Sequence, residues 1–210
     1  MGGELTFYTN PMSRGQIVRW MLEEVGQPYT TEILAYESSM KAPAYLAINP
    51  MGKVPAIKHR GQVVTECAAI CAYLADAFPA AGLAPAPGSP DRAPYYRWLF
   101  FAAGPVEAAV TNKSAGFVSG EDKARMMGYG TFEKTMDTLE AAVQSGDWLA
   151  GGKFSAADVY LGSQIGWGLQ FGSIPKRPAF EAYAAKFGAR PAYQRAKEID
   201  GKLIAEMQKA

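Results

Sequence analysis

Three short segments in the first third of the chain carry the residues with the clearest chemical potential. The first contains Ser13, which follows an apolar stretch and begins a pattern typical of a helix. Its hydroxyl and the unpaired amides of the first helical turn therefore face the same small volume. Such a helix start stabilises a negative charge by about 0.3–1 kcal/mol. The alternative is that Ser13 only caps the helix.

The second segment runs from Asn49 to Pro55, and its last two residues, Val54 and Pro55, open a predicted strand. Proline is tolerated at a sheet edge because no ladder hydrogen bond needs its missing amide proton there. If the Val54-Pro55 bond is cis, the N–H and C=O of Val54 point outward and can pair with an extended peptide. Most X-Pro bonds are trans, so an ordinary edge proline is the alternative. Lys53 can hold a carboxylate or simply be solvated.

The third segment, Thr65-Glu66-Cys67, is a strand end that turns into a helix. The Glu66 carboxylate can accept from an ammonium group, while the Cys67 amide at the helix start can donate to a carboxylate. An ammonium and a carboxylate on one carbon form an amino-acid head group. The alternative is a capping arrangement with Glu66 in the first turn.

Composition restricts the class of protein. The chain has 210 residues, of which 49% are hydrophobic and 20% charged, enough apolar material for a sizeable core. With 21 basic and 20 acidic residues the net charge is +1, so nucleic acid is not an expected partner. Neither a membrane-spanning stretch nor a secretory signal is recognisable. Cys67 and Cys71 lie one helical turn apart, which suits neither a disulfide nor a zinc site. We expect no membrane, no metal and a cytoplasmic location.

The elements that must position these residues divide the chain in two. Strand and helix patterns alternate at first: a strand at 5–9, a helix at 13–25, a strand near 29–34, a loop with a helical turn at 36–48, a hairpin of 54–58 and 62–65, and a helix at 66–78. This order predicts a small mixed sheet. Prolines then mark a linker, and helices are predicted at 95–115, 120–145, 155–171, 179–188 and 193–208. We expect an α/β domain at 1–80, a linker at 81–91 and an all-α domain at 92–210.

The motifs recur in a fixed order. Ser13-Arg14 follows the first strand, the segment from Asn49 to Pro55 comes next, and Glu66 precedes a helix. In the helical half, Ser155-Ala156-Ala157-Asp158 has the spacing of a capping box, a structural feature. Over essentially its whole length the chain resembles the cytosolic glutathione transferases, above all bacterial members with a serine in this turn. The resemblance implies a thioredoxin-like N-terminal domain that binds glutathione, followed by an all-helical C-terminal domain that forms the acceptor pocket.

The resemblance also implies roles for individual residues. Glu66 and the Cys67 amide hold the γ-glutamyl end of glutathione, and Val54 pairs with its cysteinyl backbone. Lys53 lies near the glycyl carboxylate, and Pro55 is cis. Cys67 stands where the family usually has Ser or Thr, which predicts a weaker hold on the head group. A mixed disulfide between Cys67 and glutathione is an open alternative.

The chemistry follows from the thiol of glutathione. A free thiol has a pKa of about 8.5, so only about 3% is thiolate at pH 7. Lowering this pKa by about two units needs about 2.7 kcal/mol, which a hydroxyl donor and a helix start can provide. Ser13 is therefore predicted as a donor to sulfur, with Asn10 as the second candidate. The single histidine, His59, leaves no serine triad to build.

The acceptor is less well defined. Aromatic and apolar residues in the helical half and in the first turn predict a pocket for a flat, apolar electrophile, although the same spacing is typical of a core. The candidates are Met12, Tyr95, Trp98, Phe101, Trp167 and Phe171. We expect a homodimeric detoxification enzyme with glutathione as co-substrate. The alternatives are a non-catalytic glutathione-fold scaffold, and a glutathione-dependent peroxidase or dehalogenase. The lack of Cys-x-x-Cys disfavours thioredoxin-type redox chemistry.

Overall fold

The computed structural model describes residues 5–117 and 120–209. They form two compact units: one comprises the residues up to Ala81 together with those from Arg190 onward, and the other is Gly82–Ala189. The domain boundaries expected from sequence differ from this grouping in one element, the last helix, which they assign to the helical domain. Within the described ranges, no helix combines the length and the apolar character needed to cross a membrane.

A four-stranded mixed sheet forms the centre of the first unit. Its strands are β1 (Leu5–Thr9), β2 (Thr30–Ile33), β3 (Ala56–His59) and β4 (Gln62–Thr65), in the order β2-β1-β3-β4. β1 pairs in parallel with β2 and antiparallel with β3, and β3 pairs antiparallel with β4. The α-helices of the described residues are α1 (Gly15–Val25), α2 (Pro43–Leu46), α3 (Cys67–Ala77), α4 (Arg92–Phe101), α5 (Glu107–Ser114), α6 (Glu121–Ala124), α7 (Phe132–Gln144), α8 (Ala156–Phe171), α9 (Pro178–Gly188) and α10 (Pro191–Met207). The predicted thioredoxin-like domain and helical region are confirmed.

The last helix, α10, packs against α1 through both apolar and charged contacts. The rings of Trp20 and Tyr193 meet edge to face with centroids 4.9 Å apart. The buried guanidinium of Arg19 lies 3.2 Å from the Asp200 carboxylate and also donates to the Tyr29 hydroxyl at 3.0 Å. A buried cation that loses its partner destabilises a fold by several kcal/mol. α10 is therefore an integral part of the first unit.

His59, at the end of β3, is 1% exposed. Its Nδ1 lies 3.0 Å from the Tyr73 hydroxyl, and its ring packs on Phe78 with centroids 5.2 Å apart. Burial lowers the pKa of His59 from its ordinary value, because the charged form is poorly solvated there. At neutral pH the imidazole is therefore uncharged in the folded protein.

A pH dependence of stability follows from His59. Below about pH 6.5 the unfolded chain binds a proton at His59, whereas the folded chain stays unprotonated there because its His59 pKa is lower. The free energy of unfolding should therefore fall by up to about 1.4 kcal/mol per pH unit until the lowered pKa of the folded state is reached. Above this range the contribution is constant. His59→Phe keeps a ring and removes the titration. Urea unfolding of both proteins between pH 5 and 8 measures the difference, and parallel curves would contradict the prediction.

The second unit is built from α4 to α9, with two departures from the predicted helices. The helix predicted at 95–115 is α4 and α5 joined by a π-helical stretch, Ala102–Val106, which contains Pro105. Proline lacks the amide proton that a regular turn needs there. The prediction of one helix at 120–145 is wrong: α6 and α7 are separated by residues 125–131, where Gly130 has a φ of 68°.

The start of α8 is a buried polar cluster. Ser155 is the N-cap, and the predicted capping box with Asp158 is confirmed. The Asp158 carboxylate accepts from the backbone amides of Leu149 at 2.9 Å and Ser155 at 2.8 Å. It also accepts from the Ser155 hydroxyl at 2.8 Å and from the Tyr183 hydroxyl at 2.6 Å. Burial nevertheless raises the pKa of Asp158, against the effect of these donors. The cluster joins α8 to α9.

Candidate functional site

The register of the sheet brings the three sequence motifs to one end of the first unit. Ala56 pairs with Tyr8 on one side and with Thr65 on the other. The turn after β1, the residues before β3 and the start of α3 therefore lie at the same end. The Cys67 thiol, 3.8 Å from the Arg14 carbonyl oxygen, links the starts of α3 and α1.

Ser13 is half-buried and lies just before α1. The N-cap of α1 is Arg14, so the alternative in which Ser13 only caps the helix is not observed. Its hydroxyl donates to the Asn10 carbonyl at 2.6 Å and accepts from the Gly15 amide at 2.9 Å. A hydroxyl has a single proton, so donation to a thiolate requires that it rotate away from Asn10. The oxygen nevertheless stays at the helix start.

Asn10 shapes the same turn with its buried side chain. Its Nδ2 donates to the Leu34 carbonyl at 2.8 Å, and its Oδ1 accepts from the Met12 amide at 3.0 Å. The Leu34 contact uses one of the two Nδ2 protons. Asn10 thus ties the turn to the end of β2.

Gly15 is a site residue that sequence reasoning missed. A Cβ at this position would collide with Thr9 Oγ1 and press against Ser13 Oγ. Only glycine lets α1 begin so close to the end of β1, which places its first amide on Ser13. The available signal was a glycine near the start of a predicted helix, where it lowers helix propensity.

Val54 and Pro55 lie just before β3, and the peptide bond between them is cis, as predicted. In the part of the chain that the structure describes, neither the N–H nor the C=O of Val54 has a hydrogen-bond partner. An unpaired peptide group beside a sheet is the arrangement that captures an extended peptide by backbone pairing.

Lysines flank this segment. The side chain of Lys53 is exposed, and its carbonyl accepts from the Tyr45 hydroxyl at 2.6 Å and from Asn49 Nδ2 at 2.8 Å. Burial raises the pKa of Tyr45 to about 12, so its hydroxyl keeps the proton that it donates. Lys41, which sequence reasoning missed, places Nζ 2.8 Å from the Gly52 carbonyl. The Lys41 ammonium therefore lies beside the segment that carries Lys53.

Glu66 is the N-cap of α3, but its side chain makes no capping hydrogen bond. Its backbone has φ 66° and ψ 121°, a left-handed conformation that costs a non-glycine residue about 1–3 kcal/mol. The carboxylate is exposed. Among the described residues the Glu66 side chain has no hydrogen-bond or ion-pair partner, and an acidic side chain on such a strained backbone favours a ligand role over the capping alternative. The next residue, Cys67, is 9% exposed.

The six candidates for an acceptor pocket differ in accessibility. Phe171 is 73% and Met12 52% exposed, Phe101 and Trp167 are half-buried, and Trp98 and Tyr95 are 7% and 0% exposed. Trp98 contacts Phe101 edge to face with ring centroids 5.6 Å apart. Of the candidates in the second unit, the accessible rings are thus those of Phe101, Trp167 and Phe171. Among the described residues, no cluster of three or more acidic, histidine or cysteine side chains is suited to a metal ion.

The fold and the site define a thioredoxin-like domain, with a cis-proline and a helix-start serine at one end, joined to a helical unit. Residues 12–77 match the family described as the glutathione S-transferase N-terminal domain. A glutathione transferase from Methylococcus capsulatus is 30% identical with a TM-score of 0.77, over 94% of this chain and 98% of that one.

Two further relatives are also described as glutathione S-transferases. A sphingomonad glutathione S-transferase complexed with glutathione is 32% identical with a TM-score of 0.76, over 93% of this chain and 98% of that one. Glutathione S-transferase GST-4.5 of Xanthomonas campestris pv. campestris is 29% identical over 175 residues, which are 78% of this chain and 83% of the relative. The chain belongs to the glutathione S-transferase family.

Proposed function

We propose that this glutathione transferase binds glutathione at the end of the sheet that carries Ser13, Val54 and Glu66, and activates its thiolate for attack on an apolar electrophile. The unpaired peptide group of Val54 carries the proposal, because it offers a donor and an acceptor to the backbone of a peptide. The sphingomonad relative that is complexed with glutathione supports the identity of the ligand.

The charges around Val54 suit the two ends of glutathione. The exposed carboxylate of Glu66 would accept from the γ-glutamyl ammonium, and the Cys67 amide at the start of α3 would donate to the adjacent carboxylate. Lys53 and Lys41 provide cations for the glycyl carboxylate at the other end. With both ends held, the thiol in the middle is directed to the turn after β1.

Ser13 would act as donor to the sulfur. The Gly15 amide holds its oxygen at the start of α1, where a negative charge is stabilised. We therefore expect the thiol of bound glutathione to have a pKa well below about 8.5. In Ser13→Ala this thiol pKa should rise by about one unit, because the substitution removes one hydrogen bond of about 1.4 kcal/mol. Titration of the thiolate absorbance of the bound glutathione measures both values.

One control and two alternative outcomes make this titration decisive. Ser38→Ala, at an exposed serine of the same unit, should leave the pKa unchanged. A low pKa that persists in Ser13→Ala would transfer the role to Asn10 or to backbone amides. If the wild-type protein fails to bind glutathione at millimolar concentration, or if the bound thiol titrates as in water, the transferase proposal fails and the non-catalytic scaffold replaces it.

The proposal includes the class of acceptor, the cellular location and the oligomeric state. The accessible rings of Phe101, Trp167 and Phe171 in the second unit favour a flat, apolar acceptor. Conjugation of such electrophiles by a cytoplasmic homodimer would serve detoxification. The two free cysteines, Cys67 and Cys71, are compatible with a reducing compartment. Hydroperoxides and halogenated acceptors in the same assay separate conjugation from peroxidase and dehalogenase activity.

A further inference from the structure

The turn that carries Ser13 is held from the side by Gln16, a residue of α1. Gln16 Nε2 donates to the Pro11 carbonyl at 2.7 Å, and its backbone amide donates to the Ser13 carbonyl at 3.2 Å. One glutamine therefore fixes the carbonyls on both sides of Met12. A change in the orientation of its side chain would release the Pro11 end of the turn.

Lys197 of α10 sets that orientation. Its Nζ donates to Gln16 Oε1 at 2.9 Å. An ammonium group has donors only, so it always requires the amide oxygen of Gln16 to face it. The amide nitrogen must then face Pro11, which is the orientation that the turn needs. The contact joins residues 181 positions apart, so it exists only when α10 is docked on α1.

The surroundings of Lys197 hold it in place. Its side chain is half-buried, and its Nζ lies 5.6 Å from the centroid of the Tyr193 ring. Asp200, one turn further along α10, faces Arg19 at 3.2 Å and attracts Lys197 as well. The ammonium group is thus placed by packing and charge on the side of α1 that bears Gln16.

We propose that Lys197 and Gln16 form a relay that positions the Ser13 turn, so that the docking of α10 sets the geometry of thiolate activation. Both are positioning residues, because they act through the Pro11 carbonyl and not on the sulfur. The functional part of this inference rests on the proposed glutathione site. The structural part, the ordering of the turn, does not depend on it.

Four variants of the full chain separate the relay from simple helix packing. Lys197→Met removes the donor, and Lys197→Arg restores one. Gln16→Glu keeps an acceptor for Lys197 but has no proton to donate to Pro11 at neutral pH. Lys202→Met is the matched control, since Lys202 lies on α10 and pairs only with Glu198 among the residues described. If α10 merely packs, Lys197→Met should leave the turn unchanged, whereas Gln16→Glu still removes the bond to the Pro11 carbonyl.

Two readouts test the inference. Hydrogen exchange of the Ser13 and Gly15 amides should accelerate about tenfold in Lys197→Met and Gln16→Glu, and stay unchanged in Lys202→Met. The thiol pKa of bound glutathione should rise by about half a unit in the same two variants and return toward the wild-type value in Lys197→Arg. Thermal unfolding verifies that each variant is folded.

The outcomes are distinguishable. Unchanged exchange in folded Lys197→Met or Gln16→Glu overturns the relay. Faster exchange with an unchanged thiol pKa confirms the ordering of the turn and overturns its role in activation. A wild-type protein whose bound thiol titrates as in water overturns the proposed function and, with it, the functional part of the relay, while exchange still decides the structural part.

Discussion

Asp158→Ala should lower the free energy of unfolding of the second unit by about 4 kcal/mol, close to the upper end for single substitutions. The reason is the number of buried donors that lose their acceptor: two backbone amides and the hydroxyls of Ser155 and Tyr183. Each buried donor left unsatisfied costs about 1–3 kcal/mol, and partial rearrangement keeps the total below the sum. Urea unfolding, with hydrogen exchange of peptides from α8 and α9, measures the loss and locates it.

Two matched variants test this explanation. Tyr183→Phe removes one of the four donors and leaves the carboxylate in place, so it should cost about 1 kcal/mol. Asp137→Ala removes an exposed carboxylate of the same unit that pairs with Arg177 at 2.9 Å, and it should change stability by less than about 0.5 kcal/mol. A loss in Asp158→Ala no larger than that of Asp137→Ala would show that the cluster is not a major source of stability.

Two substitutions of Glu66 should have the same effect on glutathione binding but different effects on stability. We expect Glu66→Ala and Glu66→Gly each to weaken glutathione binding by about 100-fold, or about 2.7 kcal/mol, because the ammonium group of the ligand loses its charged acceptor. Their stabilities should differ, since glycine adopts a positive φ without the cost that alanine bears. Glu66→Gly should therefore be more stable than Glu66→Ala by about 1 kcal/mol.

Isothermal titration with glutathione and thermal unfolding measure these two effects independently. Glu32→Ala, at an exposed carboxylate of β2 in the same unit, should leave both unchanged. Wild-type affinity in Glu66→Ala would refute the assignment of Glu66 to the head group. Equal stability of the two Glu66 variants would mean that the left-handed backbone at this position bears no significant strain.

Local patterns in the sequence were sufficient for most of the first unit. The strands at Leu5–Thr9 and Gln62–Thr65 occur as predicted, because alternation and flanking turn residues act over a few positions. The π-helical stretch at Ala102–Val106 and the break at 125–131 were missed, since helical periodicity continues across both. The place of α10 was missed as well, because the pairing of Arg19 with Asp200 spans 181 positions.

The sequence motifs predicted which residues lie together at this end of the sheet, and not their fine geometry. Ser13, Val54 and Glu66 lie at one end of the sheet because short motifs follow or precede strands that pair with each other. The cis bond at Pro55 was expected only from family resemblance. The positive φ of Glu66 and the need for Gly15 arise from close approaches between elements that are distant in sequence, which no local pattern encodes.

The grouping of α10 with the first unit has a consequence for synthesis on the ribosome. All residues of Gly82–Ala189 have been translated before the first unit receives Asp200. Until then Arg19 lacks its carboxylate and the apolar face of α1 lacks its cover. The whole helical unit is therefore translated before the first unit can bury Arg19 against Asp200, although the sheet is translated earlier.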